Sequence, residues 1–335
     1  MRKKSSKALG CFVIGFWILN ILILLAGGGY WLFTNNASVH AYFISPTRAN
    51  TPTFAPTSTY TPTRTNTSTP TNTSTLTPSP TLTLSPTLTL TPTLTFTPTP
   101  VPFSEGPIVI GYSVQNRPLE VYRFGSGPTE RLIVAGMHGG SEFNTVQLAD
   151  ELITYINEHP EVIPASMTLY IMHDLNPDGV ALAHDYRGRA NANGVDLNRN
   201  WDANWQADWP RSGCWSLTVV TAGTGPGSEP ETKALMAFIQ AHHFDALINY
   251  HSAALGIFAG GLPPDKYSVS LADTVAKVTT YPYPPIDTGC KYTGGFTDWA
   301  DVHGIAALDV ELTSHTHTDY EMNLKVLDVF LKWKR

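Results

Sequence analysis

The pattern of apolar and polar positions divides the chain into three unlike parts. Arg2, Lys3, Lys4 and Lys7 precede an almost unbroken apolar run from Ala8 to Phe33. A helix of about 20 residues crosses a bilayer, so this run is long enough to span one. The basic cluster predicts a signal anchor over 8–33, with residues 1–7 as a cytoplasmic tip and the remainder outside. A cleaved leader is the alternative, with Val39-His40-Ala41 as its cleavage site, although the apolar run exceeds the usual leader core. Either expectation exports the rest of the chain.

Residues 34–104 read as a Thr/Pro-rich disordered stalk. Within them, 46–103 repeats T-P-T-x-T with scattered Ser, Leu and Asn. Such a composition cannot bury a core. Extended Pro-rich chain rises ~3.1 Å per residue, which gives this stretch a reach on the order of 150 Å. Asn66 and Asn72 stand in N-x-S sequons.

From Glu105 onward the pattern is that of a folded domain, 105–335. Ile108 to Phe124 predicts two short strands about a polar turn. Arg131–Met137, Met167–Met172, Ala246–Tyr250 and Ile305–Leu312 are short apolar runs that predict buried strands. Asn144–His159 spaces Val146, Leu148, Leu152, Ile153 and Ile156 along one helix face. Ser228-Glu229-Pro230-Glu231 predicts a capping box opening a helix to about His242. Val269–Thr280 and Asp319–Trp333 predict two more helices, and Asn176-Pro177-Asp178-Gly179 a turn. Strands alternating with helices imply an α/β fold: a mostly parallel or mixed sheet covered by helices on both faces.

Charge sharpens the division. Residues 1–104 hold six basic residues and no acidic one, so the remaining 15 basic residues face all 27 acidic ones, a formal charge of −12. That excludes a phosphate-backbone footprint, and no nucleic acid partner is expected. Cys214 and Cys290 are the two cysteines of the domain. They read either as one disulfide of an exported protein or as two separate buried thiols.

The stretch Arg187–Trp201, R-G-R-A-N-A-N-G-V-D-L-N-R-N-W, is too polar for a buried strand and too rich in Asn and Gly for a helix. It is a loop dense in hydrogen-bond donors, suited to holding a carboxylate or polarising a carbonyl. His138, His251 and Glu311 each fall at or near the C-terminal end of a predicted strand, the edge where open α/β sheets bind ligands. Two histidines and a carboxylate form the ligand set of a catalytic zinc, with Glu142 as the candidate carboxylate. Glu311, in the apolar strand L-D-V-E-L, suits a proton-accepting role. His184, His242, His243, His315 and His317 have no matching context.

These pieces stand in a recognisable order: G-M-H-G-G-S-E at 136–142, N-P-D-G at 176–179, R-A-N-A-N-G-V-D-L-N-R-N-W at 189–201, S-E-P-E-T at 228–232, Y-H-S at 250–252, G-G-F-T-D-W at 294–299 and V-E-L-T at 310–313. Through them the domain resembles the zinc carboxypeptidase family, typified by carboxypeptidase A, over about 107–335. The resemblance implies one zinc ion held by His138, Glu142 and His251, with Asp196 behind His138. It implies that Arg189 polarises the scissile carbonyl and that Asn198 and Arg199 grip the terminal carboxylate. Ser252, Tyr292 and Thr297 join them as substrate contacts, and Glu311 becomes the general base. The substrate is then a peptide, cut at its last bond.

Two departures from the family pattern stand out. The usual His-x-x-Glu is here His138-Gly-Gly-Ser-Glu142, one residue longer; two glycines allow the turn to bulge and still deliver Glu142. The family's substrate-capping tyrosine falls at Cys290, with Tyr292 nearby; a Cys290–Cys214 bridge would account for the change. Thr297, at the base of the specificity pocket, favours an apolar or small C-terminal residue. The same residues admit three other readings. One is a cell-wall peptidase cutting the γ-D-glutamyl bond of peptidoglycan stem peptides. Another is a metal-free binding module. The last is an amidohydrolase of N-acyl amino acids.

Overall fold

The computed structural model describes residues 102–209 and 217–335. The expected anchor, most of the expected stalk and Cys214 lie outside the described residues. Among the described residues no helix is long and apolar enough to cross a membrane.

The chain opens with a hairpin, β1 (Ser104–Tyr112) and β2 (Pro118–Gly125), then runs through β3 (Thr129–Val134), α1 (Phe143–Glu158), β4 (Met167–Met172) and α2 (Pro177–Leu182). After the polar 187–201 loop come α3 (Pro230–Gln240), β5 (Phe244–Ser252), β6 (Ile257–Ala259) and α4 (Lys266–Ala276). The last elements are α5 (Phe296–Val302), β7 (Ala306–Leu312) and α6 (Tyr320–Lys332). The strands form one mixed seven-stranded sheet in the order β1-β2-β4-β3-β5-β7-β6. Its centre, β4-β3-β5-β7, is parallel, while the outer pairs are antiparallel. The central strands are covered on both faces, which is why Met167–Met172 is wholly buried and reads as an uninterrupted apolar run.

Consecutive residues of β3 point to opposite cores. Ile133 joins Leu148, Leu152 and Ile156 of α1 and Phe330 of α6 on one side. Leu132 and Val134 join Leu235 and Ile239 of α3, Trp299 of α5 and Trp201 on the other. The expected helices on both faces are therefore present, and the sheet is mixed.

Several local expectations shift. Asn176-Pro177-Asp178-Gly179 is not a bare turn: the Asn176 side chain accepts the Gly179 amide at 2.9 Å and starts α2. The Ser228–Glu231 capping box does not form. Glu229 caps α3 without a side-chain bond, and Glu231 instead accepts from Val114 N and Asn191 Nδ2, each at 3.0 Å. The fourth helix starts three residues before its predicted Val269, because Asp265 accepts the amides of Tyr267 and Ser268 at 2.7 Å. β6, with three residues, and α5, with seven, are too short for periodicity to mark them.

Candidate active site

The C-terminal ends of β3, β5 and β7 lie along one edge of the sheet. β5 and β7 pair in parallel with His251 opposite Glu311. His138 follows β3 and opens a single 3-10 turn, Gly139–Glu142. This turn absorbs the extra residue. Gly139 sits at φ +46°, and a Cβ on Gly140 would meet the Ala183 carbonyl oxygen at 1.5 Å. Only glycine permits so close an approach. Ser141 turns away, its hydroxyl donating to the His138 carbonyl at 3.0 Å, and Glu142 reaches both imidazoles.

His138, Glu142 and His251 are buried and offer donor atoms that all lie within 4.8 Å of one another. Glu142 Oε1 is 2.7 Å from His138 Nδ1, and Oε2 is 2.9 Å from His251 Nδ1. The two Nδ1 atoms face each other at 3.1 Å. Two imidazole nitrogens and a carboxylate converging in this way are the donor set of a small divalent cation. Zinc bonds of ~2.0–2.1 Å separate neighbouring ligands by about 3.3 Å, and the arrangement fits one zinc ion. The charges agree. Burial opposes ionisation of Glu142, but His138 and then His251 outweigh it and hold the carboxyl well below the usual range.

Behind the cluster stands Asp196, fully enclosed. Its Oδ1 accepts from His138 Nε2 and from the Asn198 amide, both at 3.0 Å. Its Oδ2 accepts Arg189 Nε at 3.0 Å and Nη2 at 2.9 Å. Burial resists its charge, yet Arg189 and then His138 keep its carboxyl well below the ordinary range. Arg189 also donates Nη1 to Glu142 at 3.2 Å. The 187–201 loop is thus a platform of donors laid against the cluster.

The same residues line a cavity of about 580 Å³. His138, Glu142, Arg189, His251 and Glu311 face one part of it. Asn198, Arg199, Ser252, Tyr292 and Thr297 also line it. Asp196 is not a lining residue. Glu311 is half-buried, and its enclosed Oε2 has no hydrogen-bond partner among the described residues. Burial, then the charge of Glu142, push its carboxyl up to about 8. Arg199 is buried; Nη1 donates to the Asn198 carbonyl at 2.6 Å, while Nε has no partner. Its guanidinium lies 5.3 Å from the Tyr292 ring and 5.8 Å from that of Trp209. Asn198 is committed inward, with Oδ1 on the Phe296 amide at 2.9 Å and Nδ2 3.2 Å from His251 Nε2. Ser252 donates its amide to Glu142 Oε2 at 3.1 Å.

Cys290 is disulfide-bonded to a partner outside the described residues. Among the lining residues to which the sequence gives no role are His315, which meets the Ser252 hydroxyl at 3.0 Å, Asp298 and Asp309. Asp309 had a signal, since it precedes Glu311 by two positions on one strand and shares its face. His184 stacks on Phe143, and His242 contacts Glu130 at 2.9 Å; neither lines the cavity.

Comparison with known proteins agrees with this geometry. A family model described as zinc carboxypeptidase matches residues 106–328. Murein peptide amidase A of Escherichia coli strain K12 is 31% identical over 185 residues, covering 52% of this chain and 69% of that protein. Carboxypeptidase A2 of Rattus norvegicus is 28% identical over 227 residues, covering 58% of this chain and 54% of its own length. The chain therefore spans about half of that carboxypeptidase. Bovine thrombin-activatable fibrinolysis inhibitor superposes with a TM-score of 0.55 at 22% identity, over 67% of this chain and 87% of that one. Carboxypeptidase A of Helicoverpa armigera gives 0.51 at 19% identity, over 67% and 66%. These last two likenesses bear on the fold alone. A zinc-fitting cluster at the end of a parallel sheet and a family match across the domain lead to one conclusion: the chain belongs to the zinc carboxypeptidase family and is a zinc-dependent metallopeptidase.

Proposed function

We propose that this chain is an exported, membrane-tethered carboxypeptidase that removes the C-terminal residue of peptides. The observation that carries the reading is Arg199. It is a buried guanidinium with a partnerless Nε, paired with no carboxylate among the described residues, in the cavity that also holds the His-Glu-His cluster. A buried cation of this kind awaits an anion, and a planar fork suits a terminal carboxylate.

His138 Nδ1, His251 Nδ1 and a Glu142 oxygen would hold the zinc. When bound, it supplies a Lewis acid that activates water and polarises a carbonyl. The chain's own groups do the rest. Arg199 fixes the terminal carboxylate, so the last peptide bond lies beside Glu311. Glu311 accepts the proton of the attacking water and delivers it to the leaving amine. Its buried, partnerless Oε2 and raised proton affinity suit a group that must take a proton and release it. Arg189 donates to the carbonyl oxygen as negative charge develops there.

The basic residues at 2–7 and the apolar run Ala8–Phe33 support the tether, and the disulfide at Cys290 suits an oxidising compartment. A second reading is favoured by one comparison: the 31% identity to a murein peptide amidase supports a peptidoglycan stem peptide as substrate. Mass spectrometry of the full-length protein with free peptides, their C-terminal amides and wall fragments, each with and without chelator, tests both. Chelator-sensitive loss of single residues from free peptides is expected. Equal cleavage of amidated and free peptides overturns the exopeptidase reading, and cleavage of wall fragments alone selects the second.

A further inference from the structure

Past the end of β7 the chain makes a short loop that is pinned at Thr313, Ser314 and His317. Asp319 accepts the Thr313 amide and hydroxyl, each at 2.7 Å. Asn144, enclosed in the first turn of α1, donates its side-chain amide to the Ser314 carbonyl at 2.7 Å and to the His317 carbonyl at 2.8 Å. His315 stands between these anchors. It is exposed, yet it lines the cavity.

The hydrogen bonds in this corner can run in only one direction. Both protons of the Asn144 amide go to carbonyls, which only accept, so its Oδ1 is left to accept as well. The Ser252 hydroxyl, 2.9 Å from that oxygen, therefore donates its single proton there. His315 Nδ1, 3.0 Å from the same hydroxyl, must then be a donor. The neutral ring keeps its proton on Nδ1, and Nε2, with no hydrogen-bond partner among the described residues, is an acceptor.

That acceptor lies on the acyl side of the site. Along β7, Asp309 meets the Thr297 hydroxyl at 3.0 Å, Glu311 stands opposite His251, Leu312 stands opposite Ser252, and His315 follows beyond the strand end. Arg199 belongs to the Thr297 side, since its neighbour Asn198 accepts the Phe296 amide at 2.9 Å. With the terminal carboxylate on Arg199 and the last peptide bond at Glu311, the residues before that bond leave past the strand end, toward His315. Ser252 ties the two regions together: its amide holds Glu142 at 3.1 Å, and its hydroxyl holds His315. What an extended peptide offers an acceptor there is its backbone N–H, and the first to arrive belongs to the penultimate residue.

We propose that His315 Nε2 accepts the backbone N–H of the substrate's penultimate residue, the one that supplies the scissile carbonyl, and so positions that carbonyl for attack. The inference deepens the carboxypeptidase reading and rests on it. Such a bond reads no side chain, so it fixes the register of the peptide without narrowing the choice of residue. Substrates with proline or an N-methylated residue in the penultimate place have no proton to give and lose it.

Two N-acetylated substrates ending in Leu test the inference. One carries Ala in the penultimate place. The other carries lactic acid, which replaces that N–H by an ester oxygen and leaves the scissile amide intact. With the zinc-loaded full-length chain, kcat/KM for the first should exceed that for the second at least about 10-fold. His315→Asn sets an amide where Nδ1 stood and can still donate to Ser252, but it has nothing at the Nε2 position. Its ratio should fall to within about threefold, with zinc content equal to the parent's. Should that variant fail to fold, His315→Ala must show the same fall. Equal rates on the two substrates in the parent, or a ratio that keeps its parent value in the variant, overturns the role of His315 and leaves the carboxypeptidase standing. Cleavage of neither substrate by the zinc-loaded parent overturns both.

Discussion

His138 Nε2 donates to Asp196 Oδ1 at 3.0 Å. The carboxylate can only accept, so the ring proton stays on Nε2, and Nδ1 is left as the lone pair turned toward Glu142 and His251. Asp196→Asn can present an amide hydrogen instead and frees the ring to take the wrong tautomer. Zinc affinity should fall about 10–100-fold. Competition against a chromophoric chelator measures this, and an unchanged affinity would show that Asp196 does not orient the ring.

Glu311→Gln keeps the size of the side chain and removes its basicity. Metal content should match the parent protein, while kcat falls about 10²–10⁴-fold. Zinc analysis beside steady-state kinetics separates the two effects. Turnover at the parent rate would remove Glu311 as the base.

Arg199→Lys retains positive charge but loses the fork. For peptides with a free C-terminus, KM should rise about 10–100-fold with a smaller change in kcat. C-terminal amides should respond little, because they offer no carboxylate to grip. A KM that stays put would place the carboxylate elsewhere in the cavity.

Gly140→Ala forces a Cβ onto the Ala183 carbonyl oxygen, 1.5 Å away in the present backbone. The turn carrying Glu142 must move. A loss of about 5 °C or more in Tm and at least a 10-fold loss in zinc affinity are expected. Gly194→Ala is the control, since no atom lies within 4 Å of its Cβ position and its strain comes from φ alone.

Asp174 gives the fold a pH dependence. Burial, reinforced by Asp150 and Asp178 and only partly offset by His173 and the Asn176 amide, pushes its carboxyl up to about 7, against 3.8 for the ordinary group. The folded state thus holds this proton more tightly than the unfolded chain. The associated stability is fully present below about pH 4 and is lost as pH rises toward 7. Asp174→Asn cannot titrate. Melting curves should show its Tm gaining a few °C on the parent between pH 4 and pH 8. A constant difference across that range would mean that Asp174 is ionised in the fold at every pH tested.

Much of this architecture is legible in the sequence because the central strands are covered on both faces and so read as unbroken apolar runs. Met167–Met172 matches its strand residue for residue. His138, Glu142, His251 and Glu311 are legible because strand ends converge on one edge. Local capping is less legible: Ser228-x-x-Glu231 has the right spacing, but Glu231 is drawn to Val114 and Asn191 from distant parts of the chain. Asp309 is hidden by its neighbour, although strand alternation places it on the face of Glu311. Glu311 stands in a motif, whereas Asp309, two positions away, finds its partners only when Thr297 and Asn249 are brought against it from other elements.

Finally, the rung that sets His251 opposite Glu311 joins two strands 60 positions apart, and the cluster's first member, His138, lies 173 positions before Glu311. A chain emerging from the ribosome completes its sheet only when β7, the last of the seven strands in chain order, arrives. Until then His138, Glu142 and His251 are present without Glu311, the proposed proton acceptor. The topology therefore acts as a timing device: a nascent or truncated fragment lacking β7 holds only part of the proposed machinery.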